Sequence, residues 1–135
     1  MQQYDADVLA AIPNGDDNPR FATVQAMLAH DLIGGAQRAE LPPLYSTDGQ
    51  GDAALVRFKC FTPWTNWTWY ATEFDGTSVC FGLVEGHEVE FGNFDLGELQ
   101  SLRGRLGLRI ERDLHWSPIS LGELRKQIAG RRACQ

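Results

Sequence analysis

The spacing of apolar residues changes along the chain, and this change constrains the fold more than any other feature. Between residues 54 and 91 apolar residues tend to recur at every second position, the period of a half-buried β-strand. Asp-Gly at residues 75–76 and Glu-Gly at residues 85–86 interrupt the alternation and favour tight turns. From residue 95 onward the period becomes about 3.6, which is typical of amphipathic helices. The chain therefore predicts hairpins followed by helices, an α+β fold.

Two helices are expected after the hairpins, and each begins with a capping box. Asp95 and Glu98 form the first box, and Ser120 and Glu123 repeat the same spacing of three residues. The apolar stripes behind the two boxes are Leu96, Leu99, Leu102 and Leu121, Leu124, Ile128. We expect a small antiparallel sheet of about four strands with helices packed on one face.

The N-terminal third predicts helices. An Asn-Pro pair at residues 18–19 is a typical helix start, with asparagine as the cap and proline at the first helical position. An apolar stripe follows and ends at Gly-Gly, residues 34–35. We therefore expect one globular unit that consists of an N-terminal helical extension at residues 1–40 and an α+β domain at residues 44–130.

Composition excludes several classes of protein. Hydrophobic residues make up 43% and charged residues 22% of the 135 positions, as in ordinary globular proteins. No apolar run approaches the roughly 20 residues that span a bilayer, and no signal-peptide pattern is visible, so we expect a cytoplasmic protein. The three cysteines, Cys60, Cys80 and Cys134, lack zinc-site spacing. We expect neither a metal nor another cofactor.

Short motifs between residues 44 and 124 combine aromatic, glycine and charged residues. Among them are Thr72-Glu73-Phe74-Asp75, Phe81-Gly82-Leu83, Leu96-Gly97-Glu98-Leu99, Leu106-Gly107-Leu108 and Ile110-Glu111-Arg112-Asp113-Leu114. On these motifs the chain resembles an uncharacterised bacterial family, domain of unknown function 2958. Members are commonly carried by conjugative plasmids and other mobile elements. The resemblance implies an accessory role in a mobile element and names no chemistry.

Charge is distributed unevenly. Residues 1–100 carry fifteen acids and four bases, whereas residues 101–135 carry three acids and eight bases. An acidic body can occupy a basic nucleic-acid channel by presenting carboxylates in place of phosphates, and Glu85, Glu88 and Glu90 are the candidates here. We expect a non-enzymatic binding protein that blocks a host defence complex through this acidic surface. We expect the partner to be a basic protein complex that binds nucleic acid. Formation of a homodimer stays open as a further alternative.

A first alternative is a nucleic-acid-binding protein. Arginines suit bidentate recognition of phosphate, and exposed Trp64 or Trp67 could stack on bases. The basic residues concerned are Arg103, Arg105, Arg109, Arg125, Lys126, Arg131 and Arg132. The same residues could instead dock on the acidic body of the same or a second chain.

A second alternative is a small metal-dependent enzyme. Glu73 and Asp75 could converge with His87 on a divalent cation, because carboxylate oxygens suit magnesium or manganese. No catalytic nucleophile motif or phosphate-binding glycine loop supports another reaction.

An ion pair is expected around Arg112. In an extended segment Arg112 points to the apolar face, while Glu111 and Asp113 share the opposite face. Burying an unpaired charge is costly, so Arg112 needs a carboxylate partner. Glu73 or Asp75 is the expected partner, and we interpret this group as structural.

Overall fold

The computed structural model describes residues 32–134. The helices complete within that range are α1 (Gly35–Glu40), α2 (Leu96–Ser101) and α3 (Leu121–Ala133). The strands are β1 (Leu55–Val56), β2 (Phe58–Phe61), β3 (Thr68–Phe74), β4 (Val79–Glu85), β5 (Val89–Asp95), β6 (Glu111–Arg112) and β7 (Ile119–Ser120). The start of the helix expected at residues 18–19 lies outside the described residues, as does most of the expected N-terminal extension.

The strands form an antiparallel sheet in the order β5-β4-β3-β2-β6, with β1 and β7 paired separately. The β3–β4 turn is closed by Asp75, whose Oδ1 accepts hydrogen bonds from the amides of Thr77, Ser78 and Val79. The α+β class is confirmed. The sheet has one strand more than the expected four, because part of the extended segment around Arg112 pairs with β2 as β6.

The N-cap hydrogen bond of each predicted capping box forms as expected. The Asp95 side chain accepts a hydrogen bond from the amide of Glu98 at 3.1 Å, which starts α2 directly after β5. The Ser120 hydroxyl accepts one from the amide of Glu123 at 3.2 Å and starts α3. Both caps join residues three positions apart, so local sequence was enough to predict them. Within residues 32–134, no helix is both long and apolar enough to cross a membrane.

Different helices cover the two faces of the sheet. On the face that we call the α2 face, Trp69 and Val84 lie opposite each other and belong to the apolar cluster that contains the leucines of α2. On the other, the α3 face, Tyr70 and Leu83 lie opposite each other and pack with α3. The expectation that all helices share one face is therefore corrected for α3. Neighbouring residues of β3 point large rings to opposite faces, so each face needs its own apolar cover.

Gly82 of β4 lies against the backbone of β3. The pairing of the two strands shifts register between Ala71 and Glu73, which marks a bulge next to the Ala71–Gly82 pair. A Cβ added to Gly82 would overlap the carbonyl oxygen of Tyr70 and lie 3.0 Å from the Cα of Ala71. Only glycine fits at this position without moving a strand.

We expect Gly82→Ala to lower the free energy of unfolding by about 3 kcal/mol, because rigid backbone leaves no room for the methyl group. Gly49→Ala is the matched control, since nothing lies within 4 Å of an added Cβ and its φ is not positive. The control should change stability by less than about 0.5 kcal/mol. Urea unfolding followed by tryptophan fluorescence measures both. Equal stability of the two variants would contradict the close strand approach.

Candidate binding surface on the α3 face

A buried carboxylate anchors the C-terminal end of α3 to the sheet. Glu85, at the end of β4, is only 4% exposed. Arg131 donates to its two oxygens at 2.8 and 3.0 Å, and Arg132 donates to Oε2 at 3.3 Å. The Tyr70 hydroxyl donates to Oε1 at 3.4 Å, and Arg132 also donates to the carbonyl of His87 at 2.6 Å. The bidentate geometry fixes α3 to the end of β4 and to the following turn.

This cluster shifts three pKa values. Burial raises the pKa of Tyr70 to about 12, and the negative charge of Glu85 adds to the rise. Burial by itself would raise the pKa of Glu85, but the hydrogen bonds and charges of Arg131 and Arg132 bring it below its ordinary value. The hydrogen bonds that Arg131 donates to Glu85 in turn raise the pKa of Arg131. At neutral pH an ionised carboxylate therefore lies between two guanidinium ions and a neutral phenol.

A polar cleft of about 690 Å³ lies beside this cluster. Lys59 of β2 lies 3.5 Å from the Asp113 carboxylate and within 6 Å of the ring centroids of Tyr70 and Trp116, at 5.9 and 5.5 Å. Cation–π attraction and the ion pair hold the ammonium in place. Each charged side chain that lines the cleft is paired with another of its lining residues. The cleft therefore joins β2, β3 and α3 and presents no spare charge.

A larger groove, of about 1010 Å³, lies between α3 and β5. Val89 and Phe91 of β5 line it and are 37% and 46% exposed. Phe91 stacks on Phe81 with centroids 6.2 Å apart, and the guanidinium of Arg125 lies 5.7 Å from its centroid. Asp52 holds Arg125 in place at 3.2 Å. The groove combines an apolar floor with a charged rim.

Strand β5 is an edge of the sheet. In the described part of the chain it pairs with β4 alone, and the register sets Leu83 opposite Phe91 and Val84 opposite Glu90. Phe91 therefore points to the α3 face and Glu90 to the α2 face. An edge strand leaves a row of backbone N–H and C=O groups for another chain. This backbone row borders the groove.

The predicted acidic surface needs a correction. Glu88 and Glu90 are exposed, but Glu85 is buried in the ion-pair cluster. No local pattern predicts the burial of Glu85, because its partner Arg131 lies 46 residues away. The described part of the chain is also close to neutral. It contains 13 of the 18 acids and 11 of the 12 bases, a net charge of −2.

The two tryptophans predicted to stack on bases pack on the α2 face. Trp67 is only 5% exposed, stacks on Trp69 with centroids 6.0 Å apart, and meets His87 edge-on at 5.9 Å. Trp64 is half-buried against the core and covers Gly104, where an added Cβ would overlap the indole. Trp67 therefore offers no ring face to a base, and Trp64 is held by packing on at least one side.

The predicted basic patch separates into two parts. On α3 three arginines are paired with carboxylates and one lysine is exposed: Arg125, Arg131, Arg132 and Lys126. In the loop between α2 and β6 the other three are exposed: Arg103, Arg105 and Arg109. Docking of the basic end on the acidic part of the same chain is therefore observed for α3, while no such pairing with residues 32–134 is observed for the α2–β6 loop.

The predicted partner of Arg112 is also corrected. Arg112 points to the α2 face, opposite Cys60, as its spacing predicts. Its Nη1 donates to the carbonyl of Leu32 at 3.2 Å, and it makes no ion pair with Glu73 or Asp75. Of its sequence neighbours, Glu111 is exposed, and Asp113 pairs with Lys59.

Glu73 is buried and holds a loop rather than an arginine or a metal. Its carboxylate accepts hydrogen bonds from the amides of Tyr45 and Thr47 at 2.8 and 2.9 Å, and from the Thr47 hydroxyl. The Asp75 carboxylate accepts hydrogen bonds within its own turn, and the His87 ring packs edge-on against Trp67. Within residues 32–134, no group of three histidine, cysteine or acidic residues could hold a metal. The partners of Glu73 are mainly backbone amides, and no sequence pattern indicates them.

Comparison with known proteins identifies a family. A family model described as a protein of unknown function (DUF2958) matches residues 27–124. The match ends where the resemblance was expected to end and begins 17 residues earlier, inside the expected N-terminal extension. No curated protein and no solved structure matches the chain significantly.

We expect Glu85→Gln to lower the free energy of unfolding at pH 7 by about 2 kcal/mol, because two guanidinium ions lose their carboxylate but can still turn to water. Folding lowers the pKa of Glu85, so its contribution is complete above the ordinary value of 4.5 and is lost as pH falls through the folded-state pKa. The stability difference between wild type and variant should therefore stay constant from pH 7 to about 5 and narrow below that.

Glu88→Gln, three residues along, is the matched control for an exposed carboxylate and should change stability by less than about 0.5 kcal/mol. Urea unfolding at several pH values measures all three proteins. A loss of stability that is the same for both variants would show that the Glu85 ion pairs contribute nothing specific.

Proposed function

We propose that this chain, which belongs to the DUF2958 family of proteins of unknown function, is a non-enzymatic binding protein. In this proposal an extended segment of a partner protein adds as a strand to β5. One observation carries the proposal: β5 is an edge of the sheet within residues 32–134, and it borders a groove in which Val89 and Phe91 remain partly exposed. Exposed apolar side chains beside free backbone groups are the features used in strand addition.

The register of β5 defines the chemistry of the added strand. Alternate side chains of that strand would face the α3 face, where Val89 and Phe91 offer apolar contacts. The side chains between them would face the α2 face near Glu90, with Glu88 in the adjoining turn. A segment that alternates apolar and basic residues complements both faces.

The carboxylates and the apolar residues have different parts in this binding. Burying what remains exposed of Val89 and Phe91 supplies about 2 kcal/mol, and backbone hydrogen bonds add about 1 kcal/mol each before the cost of ordering the segment. Glu88 and Glu90 attract a basic segment and select against an acidic one. Affinity should therefore depend on Phe91, and salt dependence on the two carboxylates.

The biological role in this proposal is that of a cytoplasmic accessory protein of a mobile element that blocks a host defence complex. Its support is the resemblance to proteins carried by plasmids, together with exposed carboxylates at an edge suited to a basic partner. Because Glu85 is buried, the acidic contact is reduced to Glu88 and Glu90.

Selection of peptides of about 12 residues from a display library tests the proposal. We expect enriched peptides to alternate apolar and basic residues. Phe91→Ser and the double variant Glu88→Lys/Glu90→Lys should each weaken their binding about tenfold in fluorescence anisotropy, and higher salt should weaken binding to the wild type.

The double variant Glu40→Lys/Glu111→Lys is the matched control, because it makes the same change of charge at exposed sites away from β5. It should bind the peptides as the wild type does. Peptides without alternation, or binding that no β5 variant weakens, would reject the proposal.

A further inference from the structure

The loop between α2 and β6 presents an apolar residue at the tip of a tight turn. Leu106 is 100% exposed and has φ 60° and ψ 21°, and Gly107 follows with φ 75°. The amide of Gly104 donates to the carbonyl of Leu108 at 2.7 Å, and the amide of Leu108 donates to the carbonyl of Arg105 at 3.2 Å. The turn is thus closed by its own backbone and holds Leu106 outward.

Leu106 carries two costs in the isolated protein. A left-handed backbone conformation is unfavourable for a residue with a side chain, and the apolar side chain lies entirely in water. Glycine would remove both costs at this position. An apolar side chain that is held fully exposed in a strained conformation indicates that the surface of a binding partner covers it.

Three arginines lie around this tip. Arg103, Arg105 and Arg109 are exposed, and residues 99–110 contain no acid. In the described part of the chain none of the three pairs with a carboxylate; Arg103 donates to the carbonyls of Gln100 and Leu102 at 2.9 and 2.8 Å. The loop is therefore a local concentration of positive charge that no carboxylate of residues 32–134 neutralises, on a chain that is acidic as a whole.

We propose that this loop binds duplex DNA, with the arginines on the phosphates along the minor groove and Leu106 as an apolar wedge between base steps. Arginine matches phosphate geometry, and single apolar side chains between cationic residues are how minor-groove proteins unstack base steps. A protein interface normally centres on a larger patch rich in aromatic residues, in which leucine is under-represented. The two exposed leucines of the loop, Leu106 and Leu108, also give little hold on a membrane.

This DNA contact is independent of the binding proposed at β5. The loop leads into β6, and β5 and β6 are the two opposite edges of the five-stranded sheet. Three arginines at the tip of a loop on an acidic chain support weak, non-specific binding, with a dissociation constant on the order of 10 μM at low salt. Loss of one activity without the other separates the two proposals.

Fluorescence anisotropy with a labelled duplex of about 20 base pairs, at about 50 and 200 mM salt, tests the arginines. Arg105→Gln/Arg109→Gln should weaken binding about tenfold and reduce the slope of log affinity against log salt by about 2. Lys126→Gln, an exposed cation on α3, is the control and should leave both unchanged.

Leu106→Gly tests the wedge. We expect it to weaken DNA binding about threefold while the melting temperature stays equal or rises, because the backbone strain is removed. Energy transfer between dyes at the duplex ends should increase when the wild type bends the DNA and should not increase with Leu106→Gly. Leu114→Ala, at another exposed leucine, should behave as wild type.

Absence of duplex binding at low salt would overturn the proposal, as would equal binding by the arginine variant. Unchanged bending by Leu106→Gly would overturn the wedge. Tighter binding to anionic lipid vesicles, to a polyglutamate peptide or to duplex RNA than to duplex DNA would identify another occupant and overturn it as well.

Discussion

The α3 face depends on the ion pairs that the buried, ionised carboxylate of Glu85 forms with two arginines. This carboxylate lies at the end of β4 and receives hydrogen bonds from Arg131 and Arg132, which fix the last turns of α3. The leucines of α3 then cover the apolar face of the sheet. A buried carboxylate would be costly without these partners, and the arginines sit where the negative end of the helix dipole favours positive charge. The position of α3 decides where the sheet is covered and where it stays open.

Charge pairing distinguishes the parts of the surface that stabilise the fold from the parts that are available for binding. In the polar cleft near Lys59 the charged side chains are paired with one another. The groove beside β5 and the loop at Leu106 keep exposed apolar groups, and the loop also keeps exposed arginines that form no ion pair with residues 32–134. The proposed binding sites are the groove and the loop, because binding at either place leaves the ion pairs of the polar cleft intact.

Local patterns in the sequence were enough for much of the fold. The alternation of residues 54–91 predicted the hairpins, and the caps at Asp95 and Ser120 set the starts of α2 and α3 correctly. Asp75 closes its turn with amides two to four residues away. These features depend on contacts within a few residues, so a single sequence contains all that is needed to predict them.

The sequence by itself determined the α+β class, the hairpins and the start of each capped helix. Only the tertiary structure decided that Glu85 is buried, that Arg112 meets the carbonyl of Leu32, and that Trp67 is covered. The first two depend on partners 46 and 80 residues away in the chain. An alternating strand shows which residues share a face, but a distant helix determines whether that face meets water, an opposite charge or a packed ring.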